Sequence, residues 1–452
     1  MAQAHNSNDR AGLPPKAELE ALVALALDEA KRQGAGSAEA GVSVDVGLSV
    51  NVRKGEVDTL QHQRDRSLGV TVYFGTRKGS ASSSDFRRES VLETVRAACS
   101  IARHTSEDPA QGLADPELLA KDVPDLDLFH PWALSAEEAI AIARECEAAA
   151  LGADPRIVNS DGADVSTHMG MRVYGNSHGF LGGYAASRHG LSCVVVGKDG
   201  DEMQRDYWYT TSRVAELLES AVSVGKRAAE RTVRRLNARR LPTQKVPVLY
   251  APEVARGLLG HFIGAISGGA LYRKASFLLD TLGKPVFPEF VDIEERPHIP
   301  RGLGSAPFDA EGVATRDRHL VKGGVLQGYV LSSYSARKLG MQTTGNAGGV
   351  HNLSIRPGEL DFAGLLKEMG RGLVVTELMG QGVNGVTGDY SRGASGFWVE
   401  NGELAYPVQE ITVAGNLKQM FANLRAVGND VDTRGNILTG SLLLEGMTVA
   451  GE

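Results

Sequence analysis

Val42, Val44, Val46, Leu48, Val50 and Val52 occupy every second position of one uninterrupted run. Successive side chains of an extended chain point to opposite faces, so this run can bury its valines together only as a strand with one polar face. Leu68, Val70, Val72 and Phe74 repeat the pattern beyond a turn at Lys54-Gly55. Helical spacing flanks the pair. Residues 16–33 carry Leu19, Leu22, Leu25 and Leu27 ahead of a stop at Gly34, and residues 90–104 return to that spacing. The order helix, paired strands, helix predicts an α+β fold with antiparallel sheets and flanking helices in the N-terminal and central parts.

Further along, 105–132 is rich in Pro, Asp and Leu and reads as a linker. Ser135-Ala-Glu-Glu138 matches a capping box, opening a helix to about residue 151. Turn chemistry at Asn176-Ser-His-Gly179 and Lys198-Asp-Gly200 predicts stacked hairpins, followed by a long helix over 212–237 with a basic tail. That tail (Lys226, Arg227, Arg231, Arg234, Arg235, Arg239, Arg240) reads as a solvated helix face near the negative end of the helix dipole, or else as a nucleic-acid or partner surface. After Leu241-Pro242 come a strand at 246–250, a helix opened by Pro252 with Ala255, Leu258, Leu259, Phe262 and Ile266 on one stripe, a hairpin turn at Asn401-Gly402, and helices near 362–369 and 417–427. Glycine, 54 residues or about 12% of the chain against a usual 7%, makes the C-terminal part a Gly-rich, mostly-β domain. The expected division is a polar arm over 1–15, an N-terminal α/β domain over 16–108, a linker over 109–134, a central hairpin-rich domain over 135–240 and a C-terminal domain over 243–451.

A net charge of −7 and a pI near 5.9 argue against nucleic acid as a partner. No signal-peptide pattern opens the chain and no run approaches about 18 apolar residues, which argues against a membrane span. Cys99, Cys146 and Cys193 are too few and too scattered for a disulfide framework. Together these predict a soluble cytoplasmic protein. No H-E-x-x-H helix, P-loop or dinucleotide fingerprint is present. Gly175-Asn-Ser177-His-Gly179 matches G-x-S-x-G, but a nucleophile elbow needs a helix next, and Phe180-Leu-Gly-Gly-Tyr is strand-like.

The stretch from Pro252 to Lys274, with Phe308-Asp-Ala-Glu-Gly312, Ser333-Tyr-Ser-Ala-Arg-Lys-Leu-Gly340, Thr344-Gly-Asn-Ala-Gly-Gly-Val-His351, Thr376-Glu-Leu-Met-Gly-Gln-Gly382 and Gly388-Asp-Tyr-Ser-Arg-Gly-Ala-Ser-Gly-Phe-Trp398, resembles the TldD/PmbA metalloprotease family. The likeness spans nearly the whole chain and is nearest to the PmbA (TldE) branch. It implies proteolysis by a two-subunit complex in which the TldD-type subunit carries H-E-x-x-x-H on a helix and a Cys near its C-terminus as zinc ligands. Two histidines five apart lie about 140° apart on an ideal helix, so that motif needs a distorted helix. Laid on this chain, the motif falls on Arg256-Gly257-Leu258-Leu259-Gly260-His261. Arg256 replaces the first ligand and Gly257 the general base, and His261 keeps the second-ligand position. The Cys position falls on Thr439.

The resemblance therefore implies no catalytic residue, no intact metal site and no cofactor on this chain, with zinc expected on a TldD-like partner. Arg256 reads as a surface side chain and His261 as a satisfied helix histidine, or else both face the partner or a shared cavity. Asp309 and Glu311 read as a turn with a backbone-capping Asp, with metal or acid–base carboxylates as the sharper alternative. Peptide-binding candidates are Gly345, Asn346, His351, Arg392 and Ser395, on the premise that 345–351 and 393–397 form exposed Gly-rich edges able to add a peptide strand. The leading expectation is the non-catalytic subunit of a zinc protease acting on small or unfolded peptides, with a homodimer possible when alone. The alternatives are a self-sufficient hydrolase, with unrecognised ligands or Ser177, and a non-enzymatic binding regulator.

Overall fold

The alternating valines lie on β1 (Ser37–Arg53), which follows α1 (Lys16–Arg32) and continues through a hairpin into β2 (Glu56–Phe74) and β3 (Arg77–Ser83). The computed structural model describes residues 12–451, so the first eleven residues of the expected arm lie outside it. The β1–β2 turn places Lys54 and Gly55 at φ 54° and 77°, the left-handed pair that a tight hairpin needs. Their N–H groups donate at 2.7 and 2.8 Å to the buried carboxylate of Glu147, more than ninety residues away.

That carboxylate belongs to α3 (Ala136–Leu151), which follows α2 (Arg88–His104). Both halves of the Ser135/Glu138 capping box are formed. The hairpins are β4 (Ile157–Asn176), β5 (Leu181–Asp199) and β6 (Glu202–Ser212). β4 pairs antiparallel with β1 from Glu39↔Asn176 to Val52↔Ala163, which joins the N-terminal and central stretches in one six-stranded sheet, β3-β2-β1-β4-β5-β6. One part of its core packs residues of α1 and α2 on Val42, Val44 and Val70, and the other packs α3 and α4 (Ala221–Arg234) on Val50, Val52 and Val165.

Three expectations are corrected. The helix over 212–237 is shorter: β6 runs to Ser212, and only at Ser220, whose side chain accepts from the Ser223 N–H, does α4 begin. The stretch 105–132 is no loose tether, because Leu113, Ala114, Leu119, Leu126 and Leu128 are buried and the Arg337 guanidinium holds the carbonyls of Ala110, Gly112 and Leu113. The expected helix over 417–427 stops at Ala422 and gives way to a strand, since Leu424–Val427 finds an antiparallel partner.

The C-terminal lobe runs β7 (Gln244–Tyr250), α5 (Pro252–Ala265), α6 (Gly268–Tyr272), β8 (Ile293–Glu295), β9 (Arg318–Lys322), β10 (Val325–Leu326), α7 (Ser333–Lys338), β11 (Leu353–Ile355), α8 (Phe362–Met369), β12 (Gly372–Met379), β13 (Asp389–Glu400), β14 (Glu403–Asn416), α9 (Leu417–Ala422), β15 (Leu424–Val427), β16 (Ile437–Leu438) and β17 (Leu442–Ala450). Its larger sheet, β14-β13-β12-β7-β17-β15, is mixed, with β7 and β12 parallel, and a second pairing of β14 with β17 curls it back on itself. The apolar stripe of α5 (Ala255, Leu258, Leu259, Phe262) packs in the core of this lobe. A smaller sheet, β10-β9-β8-β11-β16, completes it.

Candidate functional site

α5 brings the two positions singled out by the zinc-motif comparison to different neighbours. Arg256 is no free surface side chain. Its guanidinium pairs with Asp432 and reaches the Tyr209 hydroxyl at 3.3 Å. Asp432 is closed from solvent and also receives Arg434 Nε at 2.8 Å and Nη2 at 3.1 Å. Burial pushes the Asp432 carboxyl up, but the two guanidiniums outweigh it and hold the group below the usual range. The Asp432 N–H donates to the Thr439 carbonyl at 3.0 Å, and fully buried Thr439 spends its hydroxyl on the Gly440 carbonyl at 2.8 Å. Arg256 and Thr439 are thus neighbours through Asp432, a residue that sequence reasoning missed. The spacing Asp430-Val-Asp432-Thr-Arg434, acids and a base on alternate positions, is the signal that could have found it.

His261 lies half-buried, edge-on to Tyr390 with ring centroids 6.0 Å apart. Burial lowers its pKa, and the nearby Arg392 charge lowers it further. Arg392 and Tyr390 both come from β13, so the structure joins two of the sequence candidates, His261 and Arg392, around a tyrosine that was not one of them.

The remaining peptide candidates make contacts within the protein, and neither stretch is the exposed edge expected of it. The stretch 345–351 is a loop, not an exposed edge, and a buried carboxylate staples it. Glu295 accepts from Asn346 Nδ2 at 2.7 Å, the His351 N–H at 2.7 Å and Arg318 Nε at 2.8 Å, with His351 Nδ1 at 3.1 Å. Asn346 is closed from solvent. Gly345, at φ 73°, turns the chain against the Ala314 carbonyl, which a Cβ would approach to 2.8 Å. The stretch 393–397 is not an edge either, because β13 is paired with β12 on one side and β14 on the other, and Ser395 is buried between them.

Asp309 is the backbone-capping residue of its turn. It accepts from the N–H groups of Glu311, Val313 and Ala347, each at 2.9 Å, while Glu311 accepts from the Ser333 N–H. Ser177 sits in the β4–β5 hairpin turn with its hydroxyl accepting from the Ala38 N–H, and no helix follows it.

The basic tail is solvated only in part: Lys226, Arg227, Arg234, Arg239 and Arg240 are exposed, while Arg231 and Arg235 are half-buried. Arg227, Arg231, Arg234 and Arg235 line a cleft of about 670 Å³ between the six-stranded sheet and the C-terminal lobe. Arg231 pairs there with Glu253 at 2.6 Å, Arg235 with Asp206 at 3.4 Å and with Glu377, and Arg227 and Arg434 lie over the Trp208 ring at 4.2 and 3.9 Å. Asp432, the partner of Arg256, lines the same cleft.

Against known proteins, three family models cover the chain in order: PmbA/TldA metallopeptidase domain 1 over residues 38–102, the central domain over 129–236 and the C-terminal domain over 243–451. The metalloprotease PmbA of Escherichia coli O157:H7 is 54% identical over 96% of each chain. This chain belongs to the PmbA/TldD metallopeptidase family, in its PmbA branch. A PmbA homologue of Haemophilus influenzae is 50% identical over 96% of each chain. Of solved structures, a candidate modulator of DNA gyrase from Bacteroides thetaiotaomicron matches with a TM-score of 0.91 at 30% identity, over 96% of this chain and 99% of that one. TldE from Thermococcus kodakarensis shares the fold, with a TM-score of 0.83 at 21% identity over 96% and 100% of the chains.

The zinc that the family implies does not fit the residues at its positions here. A guanidinium has no lone pair to give, Gly257 has no side chain, and the Thr439 hydroxyl is already donated. Among the described residues no three His, Cys, Asp or Glu side chains gather closely enough to share a metal ion. No helix among them is long and apolar enough to cross a membrane.

Proposed function

We propose that this PmbA-branch chain is the peptide-holding subunit of a two-subunit cytoplasmic metallopeptidase, with a TldD-like partner supplying zinc and the general base. The observation that carries this reading is the Arg256–Asp432 ion pair. At the position of the first zinc ligand stands a permanent cation, locked to a carboxylate that is itself shared with Arg434. With Gly257 next to it, the stretch from Arg256 to His261 offers neither a second metal-binding side chain beside His261 nor a carboxylate to activate water, and the Glu253 carboxylate one turn earlier on α5 is paired with Arg231. What remains for this chain is to bind and orient small or unfolded peptides, and the cleft between its lobes has the volume for a few residues of extended peptide.

The test measures zinc by elemental mass spectrometry on the chain purified alone, without chelators or a histidine tag, and peptide hydrolysis with and without a TldD-like subunit. The expected result is much less than one zinc per chain and hydrolysis only in the mixture. Stoichiometric zinc and hydrolysis by the isolated chain would return the self-sufficient hydrolase. Peptide binding without turnover in either setting would favour a binding regulator.

A further inference from the structure

Between α5 and β13 a cation stands without a counter-charge. Arg392 is half-buried, its Nε is shut from solvent with no hydrogen-bond partner, and among the described residues no carboxylate pairs with it. Every other arginine named in this lobe's interior has one: Arg256 and Arg434 share Asp432, and Arg318 has Glu295. Beside it, Tyr390 is only 2% exposed, and its hydroxyl, near Arg392 and Tyr250, makes no well-formed hydrogen bond to either. Its neighbour Tyr250 turns its own hydroxyl to Met447 Sδ at 3.5 Å. His261 closes the group edge-on to the Tyr390 ring.

Burying a polar atom without a hydrogen bond is unfavourable and burying an unpaired charge is more so, so two such groups side by side favour a ligand that completes them. Both are donors. An acceptor-only ligand satisfies both at once, since a carboxylate offers two oxygens, one for Nε–H and one for the phenolic O–H. An amide or ammonium would set donor against donor. The frame is stiff, because Arg392 lies opposite Val413 on β14 and its neighbour Gly393 opposite Met379 on β12. Tyr390 is part of the lobe's core.

We infer that Arg392, Tyr390 and His261 form a carboxylate-binding subsite, filled by the C-terminal carboxylate of a peptide or by an Asp or Glu side chain within it. As far as it concerns peptides, this rests on the peptide-holding reading above. The anion seat itself does not.

The experiment therefore has two arms, both on the full chain. In the first, the 15N–1H signal of the Arg392 Nε–H, identified by its loss in Arg392→Lys, is followed while sodium acetate is added. A saturable shift that sodium chloride at matched ionic strength does not produce is expected. Tyr390→Phe should weaken acetate about fivefold without loss of fold, since it removes one hydroxyl and keeps the ring in the core. No saturable shift overturns the proposal, and so does full acetate affinity in Tyr390→Phe.

In the second arm tetra-alanine, its C-terminal amide and an amide with one internal Glu are compared by calorimetry. At least tenfold weaker binding of the plain amide is expected. Recovery by the Glu peptide assigns the seat to side chains, and its absence assigns it to chain ends. Equal binding of all three overturns the role in peptide recognition. No peptide binding beside a clear acetate shift counts against the peptide-holding reading and leaves the seat standing.

Discussion

Asp432 holds two guanidiniums, and its removal tests how much that arrangement matters. Its side chain is 6% exposed, against 27% for Arg256 and 15% for Arg434. Asp432→Ala leaves two partly buried cations facing each other, so a loss of about 3 kcal/mol is expected, more than a surface pair would give. Urea unfolding of the two proteins measures it, and a difference below about 1 kcal/mol would mean that solvent screens the pair. Asp309 carries a pH signature. Burial, with Glu311 nearby, outweighs its three N–H donors and pushes the carboxyl up to about 6 from 3.8. Between those values the folded state holds more protons than the unfolded one. Stability from this group is therefore present at low pH and lost as pH rises through the window, by about 3 kcal/mol in all. The stability of the wild type relative to Asp309→Asn should fall by most of that amount between pH 4 and 7. A flat difference would show that the three N–H groups keep the carboxylate ionised. The capping turn of Asp309 was legible in the sequence, but its burial and the Asp432 pairing were not, because both depend on which distant segments arrive beside the carboxylate.

The elements themselves were legible where their signals are local. Alternating valines specified β1, the Ser135–Glu138 box specified the start of α3, and Asn401-Gly402, at φ 53° and 76°, specified the β13–β14 turn. The misread segments are those where pairing across the chain decides. Residues 424–427 have helical neighbours, but β17 offers them an edge, and β13 looks like a Gly-rich edge until β12 and β14 enclose it. Its glycines mark close approach, since a Cβ on Gly396 would meet the Val374 carbonyl at 1.8 Å. The same reasoning applies to α3 against α4. Gly225 sits where a Cβ would lie 2.1 Å from the Cys146 carbonyl and 3.0 Å from the Ala150 nitrogen, both backbone atoms of α3. Gly225→Ala gains helix propensity of about 1 kcal/mol but must push the helices apart, and a net loss of 1–3 kcal/mol is expected. Thermal unfolding gives the sign, and a rise in Tm would mean that the two helices slide past each other at no cost.

At the scale of the whole molecule, the six-stranded sheet with its helices and the C-terminal lobe each have their own apolar cores, and polar side chains do much of the joining. Arg213, at the end of β6, is the clearest of these. Its Nε and Nη2 each donate at 3.0 Å, to the carbonyls of Gly302 and Leu303 in the other lobe, and its Nη1 donates at 3.1 Å to Ser187 in its own. Beside it, the buried apolar cluster that spans both lobes among the described residues is small: Phe180 stands edge-on to Phe308 at 5.0 Å, with Ala114, Leu119 and Val313 around them. The stretch 109–134 is threaded through this seam, which is why a segment that reads as a linker is packed. A joint made of carbonyl-bound arginines loses its grip when the fork is removed, whereas each core keeps its own contacts. Arg213→Met, of similar length but without donors, leaves carbonyls of both lobes unpaired and should cost about 3 kcal/mol, mostly in docking. Calorimetry of the wild type is expected to show one transition, and of the variant two, the lobes then melting in turn. One transition of undiminished sharpness in the variant would show that the Phe180–Phe308 cluster couples the lobes by itself, and that the cleft between them does not need Arg213 to keep its shape.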